Sequence, residues 1–154
     1  MTGNNSYDVI IIGSGPGGYV AAIRASQLGL KTAIIEKDKL GGICLNWGCI
    51  PTKALLRASE IKHILSETSD FGIKLEGINI DWKKVVSRSR KVSEQLSKGV
   101  DYLLKKNNVD IIYGEGKIAG NGRVTVKNKD DETLYTTSNI ILATGARPKN
   151  IEGL

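Results

Sequence analysis

Aromatic residues are scarce in this chain, at 5% of 154 positions, so small and aliphatic side chains have to fill the core. Cysteine is scarcer: there are two, Cys44 and Cys49, and histidine occurs once, at His63. Three soft ligands at most, with a C-x4-C spacing that is not a zinc knuckle, speak against a metal site. No apolar run approaches the length of a membrane span. Residues Met1 to Ser6 have neither the charged nor the apolar region of a signal peptide. The expectation is a cytoplasmic protein without a membrane partner. In that reducing compartment two nearby cysteines are catalytic or redox-sensing and not a structural staple. Internal repeats and low-complexity tracts are also missing. The length is that of one domain, residues 1–154, able to bury a single core.

Positive charge is in excess, with a net +6. Its carriers are scattered, and only Lys83, Lys84, Arg88, Arg90 and Lys91 cluster. Such a run is ordinarily a solvated helix face, so nucleic acid is not an expected partner; an acidic protein surface is the better candidate.

The order of apolar runs predicts an α/β chain. Tyr7 to Ile12, rich in Val and Ile, reads as a buried parallel strand. Gly13 to Gly18 is a turn, Tyr19 to Leu28 a helix stopped by Gly29, and Lys31 to Glu36 a second strand. These form a βαβ unit whose crossover should be right-handed. A helix from Pro51 to about Ser66 follows, with Leu55, Leu56, Ile61, Ile64 and Leu65 on one broad face. A second long helix runs from Asp81, its cap, to about Lys106, with Val85, Val92, Leu96, Val100 and Leu103 at mostly helical spacing. The last third switches to short strands at Val109–Tyr113, Arg123–Val126, Thr133–Tyr135 and Ile140–Ala143. Gly116, Gly120, Asn121 and Gly122 mark turns among them. After Thr144, Gly145, Ala146, Arg147 and Pro148 the chain stops soon, at Leu154, and the expectation is a fragment of a longer protein.

Two motifs carry chemistry. Gly13-Ser14-Gly15-Pro16-Gly17-Gly18 fits G-x-G-x-x-G. Its first glycine permits a tight turn, its second admits a pyrophosphate to the backbone, and its third lets helix and strand pack closely. The helix N-terminus then offers N–H groups and positive dipole to phosphate. Glycine-rich turns also occur for structural reasons alone. Here the motif follows a strand, opens a helix, and is answered by Glu36 at the end of the next strand, where a carboxylate can accept from ribose hydroxyls. The motif by itself does not separate FAD from NAD.

The second motif is Gly41-Gly42-Ile43-Cys44-Leu45-Asn46-Trp47-Gly48-Cys49-Ile50-Pro51-Thr52-Lys53. Inert cysteines would simply be small buried hydrophobes. The flanking glycines, a helix N-terminus and Lys53 one turn on instead form a setting that favours thiolate. Two such sulfurs at close range can exchange dithiol for disulfide. A flavin has a use for such a pair, and a nicotinamide-binding unit does not require one. His63 lies mid-helix and reads as a surface or packing residue.

The Gly13–Gly18 turn, Glu36, the segment from Gly41 to Lys53 and Ala143-Thr144-Gly145 together resemble the pyridine nucleotide–disulfide oxidoreductases, over nearly the whole chain. From Cys44 through Cys49 and Lys53 to Leu56 the likeness is strongest to the dihydrolipoamide dehydrogenase branch. The resemblance implies the N-terminal part of a Rossmann-type FAD-binding domain, with a central parallel sheet, an inserted helical pair and a small antiparallel β element. It implies oxidation of dihydrolipoamide, carried on a lipoyl domain, by a Cys44–Cys49 disulfide. Cys44 would be the interchange thiol and Cys49 the one nearer FAD, with electrons passing on to NAD+. The cofactor would be held by Gly13, Ser14, Gly15, Pro16, Gly17, Gly18, Glu36, Lys37, Gly42, Ile43, Cys44, Lys53, Gly116, Thr144, Gly145 and Ala146. Within this set Glu36 would meet the adenosine ribose, Gly116 the adenine and Lys53 the flavin N5 edge. Partners implied are the core of a 2-oxo acid dehydrogenase complex and a second copy in a homodimer.

Two departures stand out. Ile43 replaces a threonine frequent in such proteins, removing a hydroxyl, and Trp47 replaces a smaller residue between the cysteines. The nicotinamide domain, the rest of the FAD domain and the dimerisation domain with its His–Glu acid–base pair have no counterpart in these residues. An acid–base group contributes about 10²–10⁴-fold in rate, so the fragment alone is expected to be inactive. The alternatives are a glutathione or mercuric reductase-like enzyme of the same family, and a non-catalytic dinucleotide-binding or thiol-switch module.

Overall fold

Strand β1 (Ser6–Ile12) forms where Val and Ile run without interruption, and it is the centre of the sheet. The structure, a computed structural model, describes residues 5–129, 131–146, 151 and 153. Arg147 and Pro148, expected in the closing loop, lie outside the described residues. By their contacts these residues divide into two units, Met1–Gly42 with Lys98–Leu154, and Ile43–Ser97.

In the first unit β1 leads through helix α1 (Pro16–Gln27) to β2 (Thr32–Glu36), which pairs parallel to it with Ile10 opposite Ala33 and Ile12 opposite Ile35. Pro16 opens α1, where its missing N–H costs nothing. Gly29 closes it at φ +86°: its N–H bonds the Ser26 carbonyl at 2.9 Å and that of Leu30 bonds Ala25 at 3.2 Å, a Schellman ending. Further along the chain, β3 (Asp110–Tyr113) joins β2 in parallel. A meander of β4 (Glu115–Ile118), β5 (Arg123–Asn128) and β6 (Asp131–Leu142) completes the sheet in the order β3-β2-β1-β6-β5-β4.

Strand β6 does two jobs. Its first half, Asp131 to Thr136, pairs antiparallel with β5, and from Thr136 to Leu142 it pairs parallel with β1. The meander therefore folds over one face of the parallel strands. Val124 and Val126 of β5 cluster with Ile10, Ile12, Ala33 and Ile35. Alternation along the strand turns Val9, Ile11 and Ile34 to the other face, where α1 contributes the buried Ala22.

Two sequence expectations are corrected here. The two strands predicted at Thr133–Tyr135 and Ile140–Ala143 are one 12-residue strand, because each half has its own hydrogen-bonding partner. Gly116 is not a turn residue. It pairs with Val126 inside β4, and a Cβ there would stand 3.1 Å from the Ile35 Cγ2 and 3.2 Å from the Ile12 Cγ2, so its role is close approach. The turn residues of that hairpin are Gly120, Asn121 and Gly122, all at positive φ as expected.

The second unit holds α2 (Gly42–Asn46, from Ile43 on), α3 (Cys49–Ser66), a 3-10 turn at Thr68–Phe71, and most of α4 (Trp82–Lys106). Asp81 caps α4 as predicted, its Oδ1 accepting the Lys84 N–H at 3.0 Å. The predicted apolar stripes are only partly buried. On α3, Leu55, Leu56, Ile61 and Ile64 are exposed and Pro51 alone is buried. On α4 the buried positions are Ser89, Ser93, Val100 and Leu104, whereas Leu96 and Leu103 are exposed. Periodicity makes a helix, but burial also needs a neighbour to close over the stripe, and on α4 small serines carry the close approach.

Candidate functional site

Two groups of predicted residues come together, one in each unit. In the first unit the carboxyl ends of β1, β2 and β6 lie side by side. Chain order reverses between β1 and β6, since β1 connects to β2 on one side and lies next to β6 on the other. In open α/β sheets that reversal leaves a crevice outside the strand ends, where ligands sit. Gly13 stands at this point with φ +102°, and a Cβ on it would lie 2.3 Å from the Ala143 carbonyl oxygen and 3.1 Å from the Thr144 Cα. Gly18 is as tightly held, for its Cβ would fall 1.9 Å from the Gly13 oxygen. Gly42, at φ +74°, presses on Gly15, whose Cα a Gly42 Cβ would meet at 2.7 Å. Gly17 and Gly145, by contrast, have open space where a side chain would be.

Gly15 is the N-cap of α1 and offers no side-chain cap. The first intrahelical bond runs from the Tyr19 N–H to the Gly15 carbonyl at 3.0 Å. The amides of Gly17 and Gly18 precede that bond and have no acceptor within the helix, so a bare helix start faces the end of the sheet.

Glu36 and Ser14 join this turn to β2. The Glu36 Oε2 accepts the Ser14 N–H at 3.0 Å and the Ser14 Oγ–H at 2.5 Å, and its Oε1 accepts the Asp38 N–H at 2.9 Å. A carboxylate offers about four acceptor sites, so Oε1 keeps capacity for one more donor. Ser14 is wholly buried, and its Oγ also accepts the Gly41 N–H at 3.3 Å. The sequence pointed to both residues separately. Their bond needed the strand register to appear. Lys37 turns away to an exposed ion pair with Glu115 at 3.2 Å. Gly116 lies within β4 on the sheet face, and Thr144, Gly145 and Ala146 follow β6 in exposed coil.

In the second unit Cys44 and Cys49 form a disulfide with Cα atoms 4.8 Å apart. The helix-end expectation holds for one of them. Cys49 is the first residue of the 18-residue α3, with Gly48 as N-cap and the Thr52 N–H closing the first turn on the Gly48 carbonyl at 3.1 Å. Cys44 sits inside the short α2, a helix the sequence reading missed because five residues are too few to show a period. Gly48 faces Cys44, with a Cβ position 3.4 Å from the Cys44 Cα. Ile43 and Lys53 are exposed, Lys53 in the first turns of α3. His63 is an exposed residue 3.2 Å from Glu67, as the surface reading had it.

Sequence reasoning overlooked Asn46 and placed Arg90 only on a solvated basic helix face. Asn46 is buried between the cysteines, and Arg90 Nη1 donates to its carbonyl at 3.2 Å. Nothing short of the tertiary structure links positions 44 residues apart. Among the described residues no group of three or more His, Cys, Asp or Glu gathers as for a metal ion. No helix among them is long and apolar enough to cross a membrane.

Residues 7–154 match the family described as pyridine nucleotide-disulphide oxidoreductase. A dihydrolipoyl dehydrogenase of Rhizobium etli is 56% identical over 97% of this chain and 34% of its own length. Proteins of the same description from Zymomonas mobilis and Bacillus subtilis are 47% and 45% identical, over 94% and 96% of this chain and 31% and 33% of theirs. The chain thus spans about a third of the length of these curated relatives. Among solved structures, the Cu(II) complex of the HOCl-induced flavoprotein disulfide reductase RclA from Escherichia coli superposes with a TM-score of 0.80 at 25% identity, over 96% of this chain and 30% of that one.

Proposed function

The chain belongs to the pyridine nucleotide-disulphide oxidoreductase family, and from that membership we propose that it is the N-terminal, FAD-binding part of a dihydrolipoyl dehydrogenase. The observation that carries this reading is the Cys44–Cys49 disulfide at the start of α3. The names of relatives at 45–56% identity support it.

The nucleotide turn fits the cofactor. The Gly13, Gly18 and Gly42 backbones leave no room for side chains, while the helix start at Gly17 stays open to a pyrophosphate. The Oε1 of Glu36, already held in place by Ser14 through the other oxygen, takes a ribose hydroxyl. Thr144, Gly145 and Ala146, which follow β6, complete the contacts of this unit. When bound, FAD supplies a two-electron carrier between the dithiol and NAD+.

The protein's own sulfurs do the exchange. A dihydrolipoamide thiolate attacks Cys44 Sγ, breaking the Cys44–Cys49 bond and releasing the Cys49 thiolate. The second substrate thiol then displaces Cys44, so that lipoamide leaves as a disulfide and both cysteines are reduced. Position at the N-terminus of α3 stabilises the Cys49 thiolate as the leaving group. The whole protein acts as a homodimer on the lipoyl domains of a 2-oxo acid dehydrogenase complex in the cytoplasm.

Incubating the oxidised chain with dihydrolipoamide, then counting alkylated thiols by mass, tests this. Two new thiols per chain at Cys44 and Cys49, with reduced glutathione far less effective at equal thiol concentration, are the expected result. Reduction by glutathione and not by dihydrolipoamide would move the assignment to another substrate in the family. A cysteine pair that neither reagent reduces would overturn the redox reading.

A further inference from the structure

Both segments that carry a cysteine are fastened to α4 by an arginine. Arg90 donates Nη1 to the carbonyl of Asn46 at 3.2 Å. That carbonyl belongs to the last turn of α2, where acceptors lack a donor of their own helix. The same guanidinium stands 5.7 Å from the centre of the Trp47 ring, within reach of a cation–π contact. Arg88 donates Nη1 to the carbonyl of Ala54 at 3.3 Å, five residues beyond Cys49 on α3. Asn46 is buried and Trp47 is 53% exposed.

From these contacts we infer that Arg90 is a positioning residue for the redox pair. It fixes Asn46 and Trp47, two of the four residues that separate the sulfurs, and so keeps Cys44 and Cys49 at pairing distance when the bond between them opens. The equilibrium between an internal disulfide and an external dithiol depends on the effective concentration of the two protein thiols. A tether that narrows the reduced loop raises that concentration and favours the disulfide. Arginine suits the task because one planar group both donates to a carbonyl and stacks on a ring; lysine cannot do both. This inference rests on Cys44–Cys49 being a working redox pair, but not on which substrate reduces it.

The test uses the 154-residue chain in a Trp82→Phe background, so that all tryptophan emission comes from Trp47. The chain is equilibrated in buffers of reduced and oxidised dithiothreitol. In each exchange dithiothreitol loses two electrons and two protons to close its ring, and the Cys44–Cys49 bond takes them up. Alkylation and mass then give the ratio of dithiol to disulfide. Arg90→Met is expected to lower the equilibrium constant for the disulfide about fivefold, with the change in Trp47 emission on reduction becoming larger. Arg90→Lys should fall between, and Arg90→Met with Trp47→Leu should shift little beyond Arg90→Met alone.

An unchanged constant in Arg90→Met, with helix content as in the parent, overturns the inference. Should Arg90→Met fail to fold, Trp47→Leu alone must shift the constant in the same direction, and no shift there overturns it equally. Parent protein that cycles with dithiothreitol but not with dihydrolipoamide would sink the substrate assignment and leave the role of Arg90 to stand or fall on its own constants.

Discussion

Gly17 and Gly18 are neighbours in one motif and face opposite constraints. A methyl at Gly18 would overlap the Gly13 carbonyl oxygen, a main-chain atom that cannot swing aside, whereas one at Gly17 meets nothing within 4 Å. Gly18→Ala is therefore expected to cost about 3 kcal/mol, and Gly17→Ala to be neutral or stabilising by up to about 1 kcal/mol because it sits inside a helix. Urea melts of the two variants check this, and equal losses would show that the close approach is not what the third glycine is for. Tyr7 offers a titration. Its hydroxyl donates to Asp110 Oδ2 at 3.0 Å, and burial, then that carboxylate, push its pKa up from 10.0 to about 12. Above the unfolded value the unfolded chain loses the phenol proton while the folded chain keeps it, so folding holds more protons and stability falls as pH rises. The contribution is whole below pH 10 and disappears between pH 10 and about 12. Melting temperatures of Tyr7→Phe should fall less steeply than those of the parent across that window. Tyr7 is only half-buried, which keeps the effect modest. The glycine spacing could be read directly from the chain. The Ser14–Glu36 and Tyr7–Asp110 bonds could not, because they join positions 22 and 103 apart that only the sheet brings together.

Helices and strands with a local signal were the most readable elements. Asp81 before an amphipathic run announces the start of α4, and its Oδ1 does accept the Lys84 N–H. Asp81→Ala should lower stability by about 1 kcal/mol, and Asp81→Asn by only a few tenths, since the acceptor survives and the charge alone is lost. A fall in the urea midpoint that is equal for both would mean that charge, not the hydrogen bond, caps α4. Elements defined by a distant partner were read less well. Strand β6 looked like two fragments because its halves pair with different neighbours. Strand β4, of four residues with a glycine in it, carries no alternating pattern and exists through its pairing with β5 and its approach to Ile12 and Ile35. Short α2 shares this origin, and it is what separates the settings of the two cysteines: Cys49 at the head of a long helix, Cys44 within a short one.

At the scale of the whole chain the disulfide closes a very short loop, five positions from end to end, and lies wholly within the second unit. Chain-entropy reasoning gives such a loop about 2 kcal/mol. Reduction is thus expected to lower the melting temperature by several degrees and to leave amide protection in β1 and β2 unchanged, as hydrogen exchange with and without dithiothreitol would show. Loss of protection at Ile10, Ile11 and Ile34 on reduction would mean that the bond is a structural staple, contrary to a redox role.

By itself the sequence determined the βαβ start, the glycine turn, the carboxylate that answers it and the dithiol, because each depends on residues close in the chain and on chemistry that few residue types can supply. Tertiary structure decided which partners those groups keep. It set Glu36 against Ser14, folded the meander onto Ile10, Ile12 and Ile35, left the apolar stripe of α3 open, and laid Arg90 on the segment between the cysteines. The physical reason is the same in every case: a hydrogen bond or a packed contact between distant positions depends on strand order and helix placement, and no period or motif records these.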